Sequence, residues 1–127
     1  MTRDEAKKMF EEASFFDPKE LQGWYEVKMV SVLTIPGHKK YFYPVVNSST
    51  IQFGNNYIGT ECLYFDVVKP VFEQDKPVTP VMLRYKNEKI TDKLMKVRDG
   101  LFIGKFFVIV FGKHVFLDYF TLEKIND

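Results

Sequence analysis

From Trp24 onward this 127-residue chain reads as strands, most of them alternating apolar with polar positions, the period of a half-buried β-strand. Tyr25, Val27 and Met29 alternate with Glu26 and Lys28. Phe65 and Val67 alternate with Tyr64 and Asp66, and Val81, Leu83 and Tyr85 with Met82 and Arg84. Turn residues interrupt the pattern about every ten positions, a spacing that predicts an antiparallel meander of about seven or eight strands. The segment Leu101 to Phe111 is apolar on both faces and so has to be covered on both. The expected fold is mainly β: an antiparallel up-and-down barrel with one N-terminal helix.

The helix is expected over residues 2–15. Thr2 can cap it and Glu5, three residues on, can complete a capping box. Ala6, Met9, Phe10 and Ala13 then recur on one face, which suits it to cover the outer side of Leu101–Phe111. Asp17, Pro18 and Glu20 predict a further short helical turn over 17–22. The barrel follows over 24–125, and the length fits a single domain, 1–127. Within the barrel, strands are expected at Tyr41 to Val46 and Thr50 to Phe53. Turns are expected at Asn47-Ser48-Ser49, at Gly54-Asn55-Asn56, and at Gly112-Lys113-His114; Glu73 to Lys76 is read as a loop.

Aromatic residues make up 17 % of the chain, enough to fill a core of this size. Lysine and arginine (18) nearly balance aspartate and glutamate (17), and a net charge of +1 disfavours nucleic acid as a partner. Cys62 is the single cysteine, so neither an internal disulfide nor a thiolate metal cluster can form. The charged start Met1-Thr2-Arg3-Asp4-Glu5 leads into no apolar leader, and Phe106 to Phe111 falls far short of the ~20 residues that span a bilayer. The expectation is a cytoplasmic protein with no integral membrane contact, monomeric or homodimeric.

Several chemistries lack the residues they require. His38 and His114 both adjoin turn glycines, whereas a catalytic zinc needs three protein ligands, so no metal and no cofactor is expected. Gly100 to Lys105 ends in Gly-Lys but precedes a strand rather than a helix, which removes the anion site of a phosphate loop. Cys62 lies mid-strand among apolar neighbours, where a thiol is inert, and no serine sits in a Gly-x-Ser-x-Gly elbow. Lys39 and Lys40, in Pro36-Gly37-His38-Lys39-Lys40-Tyr41, read as a solvated loop, two cations being fewer than a lipid-surface patch requires.

The stretch Asp17-Pro18-Lys19-Glu20-Leu21-Gln22-Gly23-Trp24-Tyr25-Glu26-Val27 resembles the opening of a lipocalin, in which a short helical turn leads into a Gly-x-Trp motif and the first barrel strand. Here Gly23 adjoins Trp24 directly. The resemblance implies that Trp24 closes one end of the barrel under a basic residue, with Arg98, Lys105 and Lys124 as candidates. Trp24 and the later Gly37-His38 are also similar to the intracellular GXWXG-type barrels.

A barrel of eight strands can be filled by side chains or can hold one small ligand. The leading functional expectation is a lipocalin-like, lipid-binding type of protein that takes a small hydrophobic or amphipathic molecule. Its walls would be Tyr25, Val27, Met29, Phe65, Leu83, Tyr85, Phe107 and Tyr119, and Leu83→Trp would abolish binding. Tyr25, Tyr43, Tyr57, Glu61, Tyr64, Arg84, Tyr85, Asp118 and Tyr119 form a polar set on strand faces. These could orient a ligand, run acid–base chemistry, or fill the core with hydroxyls at its rim. Two alternatives stay open: a cofactor-free lyase or isomerase using Glu61, Arg84 and Tyr119, and a filled-core interaction module.

Overall fold

The computed structural model describes residues 1–32, 34–45 and 51–125. The expected turn at Asn47-Ser48-Ser49 and the ends of the two strands beside it lie outside the described residues. A helix, α1 (Arg3–Glu12), opens the chain, and among the described residues ten strands follow the 3₁₀ turn Pro18–Glu20. They are β1 (Gly23–Met29), β2 (Lys39–Phe42), β3 (Gln52–Ile58), β4 (Thr60–Val68), β5 (Phe72–Glu73), β6 (Lys76–Pro77), β7 (Val81–Tyr85), β8 (Ile90–Arg98), β9 (Leu101–Val110) and β10 (Lys113–Lys124).

Eight of the strands form a closed antiparallel barrel in which neighbours along the chain are neighbours in space, and β1 pairs with β10 to close it. Tyr25 faces Lys124 and Val27 faces Leu122 across that seam. Closure leaves the barrel no unpaired edge. Strands β5 and β6 form a separate hairpin between β4 and β7, where a loop was expected.

Alternation decides what points inward. Tyr25, Val27, Phe42, Phe65, Val67, Val81, Leu83, Leu94, Phe102, Phe120 and Leu122 form one continuous interior core. Phe16 and Leu21, from the segment before β1, join it and plug one end: the Phe16 and Phe102 rings lie 4.7 Å apart. Side chains of this size each contribute roughly 1.5–3 kcal/mol on burial. Gly104 makes room for Phe120, because a Cβ there would meet the Phe120 ring.

The outer side of β8–β10 carries a second core. Met95, Ile103 and Tyr119 meet Ala6 of α1, with Met9, Phe10, Ala13, Val97 and Phe116 around them. The helix thus covers the outer face of the doubly apolar segment at Ile103, whereas Phe107 packs against Phe116 and His114, and Val110 and Phe111 at its end are exposed. The capping box forms as expected: Glu5 N–H donates to Thr2 Oγ1 (3.1 Å) and Thr2 N–H to Glu5 Oε1 (2.9 Å). The helix ends at Glu12 rather than reaching 15, since Ser14 exchanges two 2.8 Å backbone hydrogen bonds with Lys96 instead.

Two turns differ from the sequence reading. Gly54-Asn55-Asn56 lies inside β3, opposite a bulge in β4 where Leu63 takes φ 48°, and the chain reverses at Gly59. Gly54 is there for packing, since a Cβ would lie 2.8 Å from the Phe65 ring and closer still to the Tyr41 carbonyl. The last hairpin turns at Phe111-Gly112, one residue earlier than expected, with both residues at positive φ (49° and 75°).

Candidate functional site

Beyond the filled half, at the end where β1 and β7 finish and β2 and β8 begin, the interior opens into a cavity of about 240 Å³. Val27, Met29, Ile90, Phe106 and Phe120 form an apolar wall, and the exposed Val32, Ile35 and Leu63 its rim. Set into that wall are His38, Lys40, Asn56, Tyr85 and Asp92. The volume lies at or below the small end of ligand pockets, and the lining of apolar walls with a few convergent polar groups is typical of them.

Parity places the polar groups. Lys40 shares the inward face of β2 with Phe42, and Asp92 that of β8 with Ile90 and Leu94; Lys40 is 3 % and Asp92 1 % exposed. Asn56 pairs in register with Lys40 on one side and, past a bulge in β4, with Cys62 on the other. Alternation along β3 places it inward, two residues on from Gly54, whose missing Cβ faces the Phe65 ring.

The hydrogen bonds run in one connected order. Lys40 Nζ donates to Asn56 Oδ1 and to the Tyr85 hydroxyl, each at 2.6 Å. Tyr85 in turn donates to Asp92 Oδ2 (2.9 Å), which lies 3.8 Å from Lys40 Nζ. Asn56 Nδ2 donates to the Leu63 carbonyl (3.0 Å), which fixes the amide so that its Oδ1 faces Lys40 and His38. His38 Nε2 lies 2.9 Å from that oxygen and so carries the proton it donates. The ammonium also sits 5.2–5.8 Å from the Phe65, Tyr85 and Phe120 ring centres, within cation–π range.

Two capacities are left over. A lysine ammonium has three N–H groups, and among the described residues two of those of Lys40 have hydrogen-bond acceptors. Asp92 Oδ1 is buried with no hydrogen-bond partner among the described residues. A buried carboxylate oxygen without a donor is costly and therefore informative.

Burial dominates the acid–base state of the set. It lowers Lys40 to about 8, against the opposing pull of Asp92 and Cys62. It raises Asp92 to about 6, against Lys40 and the Tyr85 hydrogen bond. Burial, and then the charge of Asp92, push the Tyr85 phenol well above its usual range. Burial holds His38 below its ordinary value, although the Asn56 hydrogen bond opposes that. A desolvated amine, a carboxyl of raised affinity for protons and a phenol between them can pass a proton along 2.6 and 2.9 Å contacts.

The structure gathers some of the expected wall residues and disperses others. Val27, Met29 and Tyr85 line the cavity. Tyr25, Phe65 and Leu83 belong to the filled interior instead, so Leu83→Trp would overpack the core rather than block a ligand. Phe107 and Tyr119 are on the outer face: Phe107 lies against Phe116 and His114, and Tyr119 lies under α1. The inward residues of β9 are Phe102, Gly104 and Phe106, and on β10 a bulge between Phe116 and Asp118 sets the parity.

Trp24 does not close the barrel. It alternates with the inward Tyr25 and packs outside against Tyr41 (4.9 Å) and Tyr57 (4.6 Å). None of the candidate cations covers it. Lys124 lies over Tyr25, Lys105 over Phe10, and Arg98 reaches toward Glu123.

Glu61, Arg84 and Tyr119 do not come together as a catalytic set. Glu61 is exposed and accepts from Tyr64, Arg84 is exposed on β7, and Tyr119 is beneath the helix. Tyr43 stacks outside on Phe53, and Asp118 is occupied in accepting backbone N–H bonds from Ser31 and Val32. Burial alone would raise the Asp118 carboxyl, but those bonds outweigh it and hold it below the usual range.

Sequence reasoning missed Lys40, Asp92, Asn56 and His38 as a group. The signal was present as parity: a lysine two residues before Phe42 and an aspartate between Ile90 and Leu94 are charges on inward faces.

No family profile, no curated protein and no solved structure matches this chain. Among the described residues no helix is long and apolar enough to cross a membrane, which says nothing of strands.

Proposed function

We propose that the barrel binds a small, predominantly apolar molecule with one neutral polar end, a hydroxyl or a carbonyl. The observation that carries this reading is the pairing, among the described residues, of an unused Lys40 N–H with an unpartnered Asp92 Oδ1 in the wall of a mainly apolar cavity. A hydroxyl there can accept from the lysine and donate to the carboxylate, and a carbonyl can accept from the lysine. An anionic end is disfavoured, because the Asp92 charge already neutralises Lys40 at 3.8 Å. The apolar body would lie along Val27, Met29, Ile90, Phe106 and Phe120. Eight meandering strands closed between β1 and β10 are compatible with the lipocalin-like architecture that the Trp24 opening resembles, and we place the protein among binding barrels of that type.

Native mass spectrometry of freshly purified protein, followed by organic extraction, tests the reading. A bound mass of one molecule per chain, extracting as a neutral alcohol, aldehyde or ketone, is the expected result. The reading is overturned if nothing co-purifies and small neutral probes, 3-phenylpropanol and 1-aminoanthracene, also fail to bind in titrations.

A further inference from the structure

We infer that Lys40 captures aldehydes covalently, forming a reversible iminium within the cavity. This deepens, and rests on, the binding reading above. The geometry offers a primary amine in an apolar wall, two acceptors for two of its hydrogens, and a carboxyl within relay distance. Tyr85 takes the proton that Lys40 donates to it and passes its own to Asp92 Oδ2, which leaves a neutral amine with two N–H groups. Rotation about the Cε–Nζ bond returns those two N–H groups to Asn56 Oδ1 and Tyr85 Oη and turns the lone pair to the position that the third N–H had held. A lysine desolvated in an apolar pocket is the usual form of a nucleophilic amine, and the lowering of Lys40 to about 8 agrees with that role.

The chemistry needs no external reagent. The Lys40 lone pair attacks the aldehyde carbon, the N–C bond forms, and the carbonyl π pair moves onto oxygen. That oxygen takes a proton from Asp92, and the new ammonium returns one to Asp92, which leaves a neutral carbinolamine beside the protonated carboxyl. The hydroxyl then departs as water with the Asp92 proton, while the nitrogen lone pair closes the C=N bond. An aldehyde and the amine have become a protonated iminium and one water, with the Asp92 carboxylate as counter-ion. No oxidation state changes. Hydrolysis by the reverse path releases the aldehyde.

Two features restrict the ligand. The cavity of about 240 Å³ encloses a short aryl-alkyl or branched alkyl aldehyde, whereas the end of a long chain would have to leave it past the exposed rim of Val32, Ile35 and Leu63. Phe65, Tyr85 and Phe120, 5.2–5.8 Å from Nζ, leave space beside the nitrogen for a hydrogen-bearing carbonyl carbon more readily than for a ketone with two substituents.

The test uses 3-phenylpropanal with sodium cyanoborohydride, which reduces an iminium to a stable secondary amine, and reads intact mass and peptide maps of the folded protein. One adduct per chain on Lys40 is expected, suppressed by excess 3-phenylpropanol, with Asp92→Asn trapping at least tenfold more slowly. Label spread over exposed lysines with Lys40 unmodified overturns the proposal, and an unchanged Asp92→Asn rate overturns the relay. If 3-phenylpropanol binds the wild type while Lys40 stays unlabelled, aldehyde capture fails and the binding reading stands. If neither compound engages the cavity, aldehyde capture fails, and the binding reading fails with it when 1-aminoanthracene is also rejected and nothing co-purifies.

Discussion

At the scale of single residues, the decisive pair is Lys40 and Asp92, two opposite charges taken out of water on facing strands. Removing one partner leaves the other buried without compensation, whereas removing both restores an apolar wall. Lys40→Met or Asp92→Leu alone should each lower unfolding free energy by about 3–5 kcal/mol, and the double variant should recover most of the loss. Urea denaturation of the four proteins measures this. The same pair sets a pH dependence. Asp92 titrates at about 6 when folded against 3.8 unperturbed, so between those values the folded chain holds more protons and stability falls as pH rises. Lys40 titrates at about 8 against 10.5, so between those values the unfolded chain holds more protons and stability rises with pH. The stability difference between wild type and the double variant should therefore show a trough between pH 6 and 8; a flat difference would exclude the assigned shifts.

At the scale of elements, hairpin turns separate what the sequence made legible from what it did not. The alternation in β1, β4 and β7 and the capping box of α1 were readable because each depends on neighbours in the chain. The passage of β3 through Gly54-Asn55-Asn56 was not, because Gly54 answers to the Phe65 ring and the Tyr41 carbonyl, contacts visible only once strands are paired. The candidate site was hidden for a related reason. A charge on a strand is assigned to solvent by default, and burying Lys40 depends on Tyr85 and Asn56 reaching it from other strands. Phe111 shows the opposite case, a local rule broken without a packing reason. It is fully exposed, at φ 49°, in the first position of a two-residue turn that favours Asn-Gly. A left-handed conformation costs an ordinary L-residue about 1–2 kcal/mol, and asparagine less. Phe111→Asn should therefore raise stability by roughly 0.5–1.5 kcal/mol in urea unfolding, with no change in ligand binding.

At the scale of the whole molecule, the barrel divides into a half that holds the fold and a half that leaves room. Phe16, Leu21, Phe102 and Leu83 pack the first, and α1 backs the strands from outside. In the second, apolar side chains line a cavity where they forgo contacts that a filled interior would supply. If that space exists for a ligand, filling it should strengthen the protein and remove the function together. Ile90 is the place to test this, because it borders both the core and the cavity at the start of β8. Ile90→Phe adds a ring toward the open volume without disturbing Lys40, Tyr85 or Asp92. Cavity-filling changes of this kind typically add about 0.5–2 kcal/mol, which would appear as a higher urea midpoint. Titration with 1-aminoanthracene should at the same time show at least a tenfold loss of affinity. A variant that gains stability and keeps its affinity would place the probe outside the barrel, and one that loses both would mean that the cavity cannot accept the ring.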